Sequence, residues 1–447
     1  MAIQSKLVRF DLTMIVVSFV IGIGIFKTPS IIAAKAGTET VFYAAWIVGG
    51  IISVFGALTF AEIGARLPVA GGFYKIFSHC YNPVVAFMFN WALVIIYSGG
   101  AVAVALAGAE YIKPVLVPAG LQDVVSKKMI AFAVITILFI LNYLGIKMGS
   151  RVQNLLSSIK ILMILVFCLA IFGAHNNTAI VPHQTQSTTD ALKALGVCLI
   201  SIFFTFGGYQ MTINLGADVK DPQRNIPRAI ITGITIICAL YLMINIAYCQ
   251  ALGFENFKGM ELPAAELAKK FFGNAGFKIT SVVIFISVLG FLNTSFISNP
   301  RVYHAMAEDK ILPPLFKQVN ARTQTQEFAI SFFYGLTLLS LFFFEAFEQI
   351  VNYVTFIDCL TIAFAAGTIF ILRKKMAGTS YSGFRMRFFP MIPLLFMAVL
   401  IVVCASVFIA DRDAALIGIG IFIAGFPLYH LILFFTKPPA LKGDHNP

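Results

Sequence analysis

Long apolar stretches separated by short polar loops run the length of the chain. A membrane-spanning helix needs about 20 apolar residues. Such segments fall at roughly 10–33, 41–65, 82–112, 129–146, 153–173, 192–215, 228–252, 278–305, 328–345, 348–372, 390–410 and 414–436. The strands of a membrane β-barrel would read as alternating stretches of about ten residues. These runs are continuous and about twice as long, so the pattern predicts an all-α integral membrane protein of about twelve transmembrane helices. The loops are short and leave no room for a separate soluble domain. A longer segment, 253–277, is expected to hold a short amphipathic helix around Pro263 to Phe272, and Pro300 is expected to kink or end the eighth span.

Two spans break the pattern from within. The first carries Gly22 and Gly24, followed by Pro29, in the run Val20-Ile21-Gly22-Ile23-Gly24-Ile25-Phe26-Lys27-Thr28-Pro29. Gly costs about 1 kcal/mol relative to Ala inside a helix, and Pro about 3. In lipid, a broken helix also strands backbone groups at several kcal/mol each. The sixth span repeats the feature with Gly207 and Gly208, in Phe203-Phe204-Thr205-Phe206-Gly207-Gly208-Tyr209-Gln210. Each glycine pair alone reads equally well as a close-packing device of membrane helices. Both together, five spans apart, match a transporter built of two inverted repeats, with a solute site where helices 1 and 6 are discontinuous. In that reading the freed N–H groups around Gly22, Ile23, Gly24 and Ile25 suit a carboxylate, helped by the dipole of the half-helix that follows. The carbonyls near Phe204, Thr205, Phe206 and Gly207, at the end of the other half-helix, suit an ammonium. A substrate carrying both groups is an α-amino acid.

Composition narrows the class. Hydrophobic residues make up 59% of the chain and charged residues 12%, with a mean hydropathy of +0.89; an ordinary soluble domain is about 25% charged. The net charge of +12 does not point to nucleic acid, because the basic residues segregate by loop. Twenty of the 32 Lys and Arg fall on the side of the two termini and ten on the other, with Lys27 and Lys160 inside spans. The positive-inside rule places both termini in the cytoplasm, in a multi-pass inner or plasma membrane. No cleavable signal sequence is evident. The seven cysteines lack the paired spacing of a metal or redox site. Neither a metallohydrolase helix, a nucleophile elbow nor a phosphate loop occurs, so neither enzyme chemistry, a cofactor nor a metal is expected.

Several separated motifs carry a resemblance. They are "VIGIGIFKTP" at 20–29, "ALTFAEIGARLPVAGGFYKIF" at 57–77, "FFTFGGYQ" at 203–210 with "DVKDPQRNIPRAI" at 218–230, and "RVYHAMAEDKILPPLF" at 301–316. In this order, and across essentially the whole chain, the sequence resembles the amino acid–polyamine–organocation superfamily, and within it the L-type and alanine/serine/cysteine-type amino acid transporters. The resemblance implies a LeuT-type fold. Helices 1–5 (10–173) and 6–10 (192–372) would form the two inverted repeats, and helices 11–12 (390–436) would be peripheral, all within one transmembrane domain. It implies a permease that carries an amino acid by alternating access, as an antiporter or symporter. A polyamine or other organic-amine carrier, or a non-transporting amino acid sensor, are the alternatives.

The resemblance also assigns residues. Phe204 corresponds to the aromatic gate over the substrate; a core- or lipid-facing aromatic is the alternative among 45 Phe. Ile23 departs from the family's small residue between the first-helix glycines. Lys160 is costly at mid-span. It corresponds to the Lys that fills the sodium position of sodium-coupled relatives, where it would brace first-helix carbonyls and a hydroxyl such as Ser295 or Ser298. Sodium-independent exchange or proton-coupled uptake follows. Asp358, where relatives more often carry an amide, would take a proton, favour a cationic substrate, or bond a neighbouring helix. Lys27 would face either the external vestibule or the pocket, and would there be able to pair with Asp358. Glu62, Arg66, Asp218, Lys220, Asp221 and Arg224 would form inner-gate ion pairs or be ordinary solvated charges. The loop 113–128 lacks the Cys through which relatives join a glycoprotein heavy chain, so no such covalent partner is expected.

Overall fold

The computed structural model describes residues 7–69, 71–145, 150–173, 187–216, 219–323, 325–343, 347–378 and 381–436. Asp218 and the basic residues Lys6, Lys147, Lys437 and Lys442 lie outside them. Each predicted span is occupied by a helix. The run is α1 (Arg9–Val20), α2 (Gly24–Ala36), α3 (Glu39–Arg66), α4 (Gly72–Cys80), α5 (Pro83–Leu116), α6 (Lys127–Tyr143) and α7 (Ser150–Gly173). It continues with α8 (Thr188–Phe206), α9 (Pro222–Leu252), α10 (Phe254–Phe257), α11 (Pro263–Glu308), α12 (Glu327–Phe343), α13 (Phe347–Lys375), α14 (Met391–Ala410) and α15 (Arg412–Thr436). The described residues contain no β-strand beyond an isolated bridge between Leu7 and Val219.

Among the described residues, eight helices are long and apolar enough to cross a bilayer, and α1 with α2 adds a ninth as a span bent by 43° at its break. Local chemistry sets several starts. Thr38 caps α3 by accepting from Val41 N (3.4 Å), and Asn82 caps α5 ahead of Pro83 by accepting from Val85 N (2.9 Å). Ser126 and Ser187 do the same for α6 and α8. A hydroxyl or amide oxygen at that position satisfies a backbone donor that the first turn leaves orphaned.

Of the two outcomes expected at Pro300, ending the helix does not occur: α11 continues through it to Glu308. Pro222 sits in the first turn of α9, where a missing N–H costs nothing, and Pro227 lies inside the helix. The expected short helix from Pro263 is present: it opens α11 and is set off from the long remainder by non-helical Gly273 (φ 62°, ψ −157°).

The packing places the two interrupted spans together. α2 lies against α8, α1 against α9, and α3 against both α8 and α9; α5 and α11 pack on each other from the other side.

Candidate functional site

α1 unwinds at Ile21, whose ψ of 88° leaves the helical region. Its N–H still reaches Val17 O (2.8 Å), and Gly22 N turns back to Val20 O (2.8 Å). α2 then restarts at Gly24, with Ile23 O accepting from Phe26 N and Lys27 N, each at 3.1 Å. The amides of Ile23, Gly24 and Ile25 have no backbone partner among the described residues. The carbonyls around the same break are treated differently. Tyr241 Oη of α9 donates to Val20 O (3.0 Å), Lys160 Nζ of α7 to Ile21 O (3.4 Å), and Tyr111 Oη of α5 to Phe26 O (2.5 Å). Acceptors are occupied and donors are open. The positive end of the α2 dipole lies at these three N–H groups, an environment that favours negative charge. A Cβ at Gly22 would meet nothing within 4 Å, so there is room beside this strip of main chain.

The sixth span breaks on the far side of the same space. α8 stops at Phe206, Gly207 is extended (φ −60°, ψ 148°), and Gly208 takes φ 122°, a conformation side chains rarely adopt. A Cβ at Gly208 would lie 2.5 Å from Phe19 O, so only glycine lets this backbone approach α1. The chain then continues as a 3₁₀ turn over Tyr209–Asn214. The two breaks are stitched together. Thr28 Oγ1 and Thr205 Oγ1 are 2.6 Å apart, and Tyr241 Oη is 3.3 Å from Thr205 O as well as 3.0 Å from Val20 O. Gly24 is pinned here too: its Cβ would fall 3.2 Å from Thr205 Cα.

The remaining site residues divide. Phe204 is half-buried against the core. Phe206 is buried with its ring on Tyr241 (5.0 Å) and Trp46 (6.0 Å), leaving only its main chain for a ligand. Lys160 is buried and bonds the unwound segment, but Ser295 and Ser298 do not complete its shell. Ser295 Oγ turns back to Phe291 O of its own helix (3.1 Å), and Ser298 is exposed. Lys27 is buried in an ion pair with Glu110 of α5, so it does not pair with Asp358. Asp358 lies on α13. Asp358 Oδ1 is buried and has no hydrogen-bond partner.

At the terminal face Glu62 is fully buried. It accepts from Arg66 Nε (2.7 Å), from Arg373 of α13 (2.8 and 2.7 Å) and from Met386 N (2.8 Å). Lys220, Asp221 and Arg224 are exposed instead. Asp309 accepts from Tyr74 Oη (2.6 Å) and Lys75 Nζ (2.6 Å); burial and the Asp309 charge push the Tyr74 hydroxyl well above its ordinary value. Tyr241, Tyr111, Glu110 and Arg373 were not singled out by sequence. The first two read as ordinary membrane aromatics, and Arg373 as one of a basic run at a helix end. Glu110 carried a signal, as a carboxylate near the end of a long apolar run.

A span broken within its length, with amides that lack a backbone partner at the break and a second broken span packed against it, is the arrangement of a solute-transport protein of the membrane. The chain belongs to the amino acid permease family, which it matches over residues 7–435. It is 31% identical to the serine/threonine exchanger SteT of Bacillus subtilis over 426 residues, covering 94% of this chain and 95% of that one. It is 25% identical to the human cystine/glutamate transporter over 434 residues (95% and 84%). It is 26% identical to the human large neutral amino acids transporter small subunit 2 over 440 residues (96% and 81%). The family and these relatives are transporters rather than enzymes.

Proposed function

We propose that the protein moves an amino acid across the membrane by alternating access, independently of sodium, by exchange or with a coupled proton. The observation that carries this reading is the asymmetry at the first-span break: three open amides beside carbonyls already taken by Tyr241, Lys160 and Tyr111. That strip selects a carboxylate, and the C-terminal end of α8 opposite offers the negative dipole end that an ammonium needs. The relatives, a serine/threonine exchanger and a large neutral amino acids transporter subunit among them, support an amino acid as cargo.

In this reading residues 10–173 and 192–372 are the inverted repeats, 390–436 are peripheral, and both termini are cytoplasmic. Lys160 holds Ile21 O where a sodium ion sits in sodium-coupled relatives. Phe204 closes over the substrate. No covalent heavy chain is needed. A second reading rests on Asp358: a buried carboxylate oxygen without a donor favours a proton or a cationic amine as its partner.

Counterflow of labelled amino acids into proteoliposomes, with and without sodium and across pH, tests the reading. Accumulation of one or more of the twenty amino acids, unchanged when choline replaces sodium, is expected. Binding without counterflow would make the protein a sensor, and uptake of polyamines alone would make it an amine carrier.

A further inference from the structure

We infer that Lys27, Glu110, Lys127 and Glu261 form a charge-alternating latch that closes the outer side of the substrate site. The four belong to four different elements: α2, α5, the first turn of α6 and the segment before α11. Lys27 Nζ pairs with Glu110 Oε2, Glu110 Oε1 with Lys127 Nζ at 3.0 Å, and Lys127 Nζ with Glu261 at 3.5 Å. Their side chains grade from interior to surface, with exposures of 9%, 13%, 39% and 75%. Such a file runs from just above the first-span break out to solvent.

Uncharged contacts show which parts would move together. Ser30 Oγ of α2 donates to Met260 O (2.7 Å), Gly259 N donates to Ser30 O (3.0 Å), and Lys258 Nζ donates to Gly37 O at the end of α2 (2.7 Å). The segment 258–261 is thus fastened to α2. Thr28 and Thr205 fasten α2 to α8. Polar links between this body and the wall formed by α5 and α6 include the two ion pairs, Lys27–Glu110 and Lys127–Glu261, and Tyr111 Oη on Phe26 O. The unwound residues Ile21–Ile23 supply the hinge.

Charges suit this joint. Taken apart in a dry interior, a buried pair is costly. Pulled apart so that water enters, each ion is hydrated and the cost falls, which makes the contact reversible between two discrete arrangements. Sliding apolar surfaces would lack that two-state character. The same step uncovers the amides of Ile23, Gly24 and Ile25 from outside.

The inference rests on the alternating-access reading, and the experiment separates the two. Ala107 is fully buried on α5, three and four residues before Glu110 and Tyr111, so it lies on their face of the helix and one turn deeper. In an Ala107→Cys parent, labelling by a membrane-impermeant maleimide reads outer access, with the unmutated protein as background. Glu110→Gln is expected to speed labelling about five- to tenfold, the fold-change of a population shift toward the open state. The swapped pair Lys27→Glu/Glu110→Lys is expected to return it to within about twofold of the parent. Lys127→Gln, at the half-exposed link and safe for folding, is expected to give about a two- to threefold rise. Unchanged labelling in folded Glu110→Gln or Lys127→Gln, or a swapped pair as open as the single variant, overturns the latch. Counterflow by the parent is measured in the same vesicles. Its absence with the labelling differences present rejects transport and keeps the latch; its presence without those differences does the reverse.

Discussion

The hydroxyl of Tyr241 stands 3.0 Å from the carbonyl oxygen of Val20, the last residue of α1. The same oxygen is 3.3 Å from Thr205 O, one residue before the end of α8. One side chain of α9 therefore sits on both interrupted spans, and its single proton is shared between two carbonyls that a continuous helix would have satisfied itself. This bridge fixes the distance between the two breaks.

Tyr241→Phe keeps the ring contacts with Trp46 and Phe206 and removes only the hydroxyl. A buried hydrogen bond contributes about 0.5–1.5 kcal/mol net. Half-saturation of counterflow is expected to rise about three- to tenfold, with the melting temperature in detergent shifted by only a few degrees. An unchanged half-saturation concentration would show that the bridge does not set the site's geometry.

Gly22 and Gly24 are expected to respond oppositely to alanine. At Gly24 the new Cβ lies 3.2 Å from both Cα and Cγ2 of Thr205, in a fully packed contact between α2 and α8. Overpacking of this kind costs about 1–3 kcal/mol, so Gly24→Ala should lower the melting temperature. At Gly22 the Cβ enters open space. Gly22→Ala should fold normally and lose amino acid binding, because the methyl takes room beside the free amides. Thermal shift with and without substrate separates the two. Equal destabilisation by both would remove the argument that the space at Gly22 is where the carboxylate goes.

Lys160 Nζ is the buried cation that reaches the unwound turn, at Ile21 O. Lys160→Ala should leave a folded protein whose uptake falls at least about tenfold, since that carbonyl would lose its partner and the turn its anchor. Replacement of choline by sodium should not change the wild-type rate. Uptake by Lys160→Ala equal to that of the wild type would take the residue out of the mechanism.

How far these residues were legible beforehand follows from what each signal is made of. Broken spans show in sequence because Gly and Pro act on the backbone locally, and the breaks fall at Ile21–Ile23 and Gly207–Gly208, beside the predicted glycines. The cost of burying Lys160 likewise marks it without a structure. Partner choice is different, since it depends on which faces α5, α7 and α9 turn toward α1. Lys27 illustrates this: its burial was readable as an anomaly, while its partner Glu110 lies about 80 residues away on α5. Tyr241 was invisible for the same reason, being one aromatic among many until packing puts it between two carbonyls. Ser295 spends its hydroxyl proton one turn back in its own helix, a local bond that sequence alone does not reveal.

The last prediction concerns the terminal face. Glu62 has no exposed surface and uses both oxygens on two guanidiniums and the Met386 amide. The segment between α13 and α14 is thereby tied to α3, with Arg373 also over the Phe389 ring (3.7 Å) and Arg66 over that of Tyr381 (4.3 Å). Glu62→Gln keeps the shape but leaves Arg66 and Arg373 facing each other without a counter-charge. Breaking a buried pair from one side costs about 3–5 kcal/mol. Part of that is recovered if the loop swings away and lets water reach the arginines. The expected result is a lower melting temperature together with faster trypsin cleavage at Arg385 and Arg387 in inside-out vesicles. Destabilisation without faster cleavage would mean that Glu62 holds α3 to α13 but not the loop. Neither effect would mean that the buried carboxylate contributes nothing to the closed terminal face.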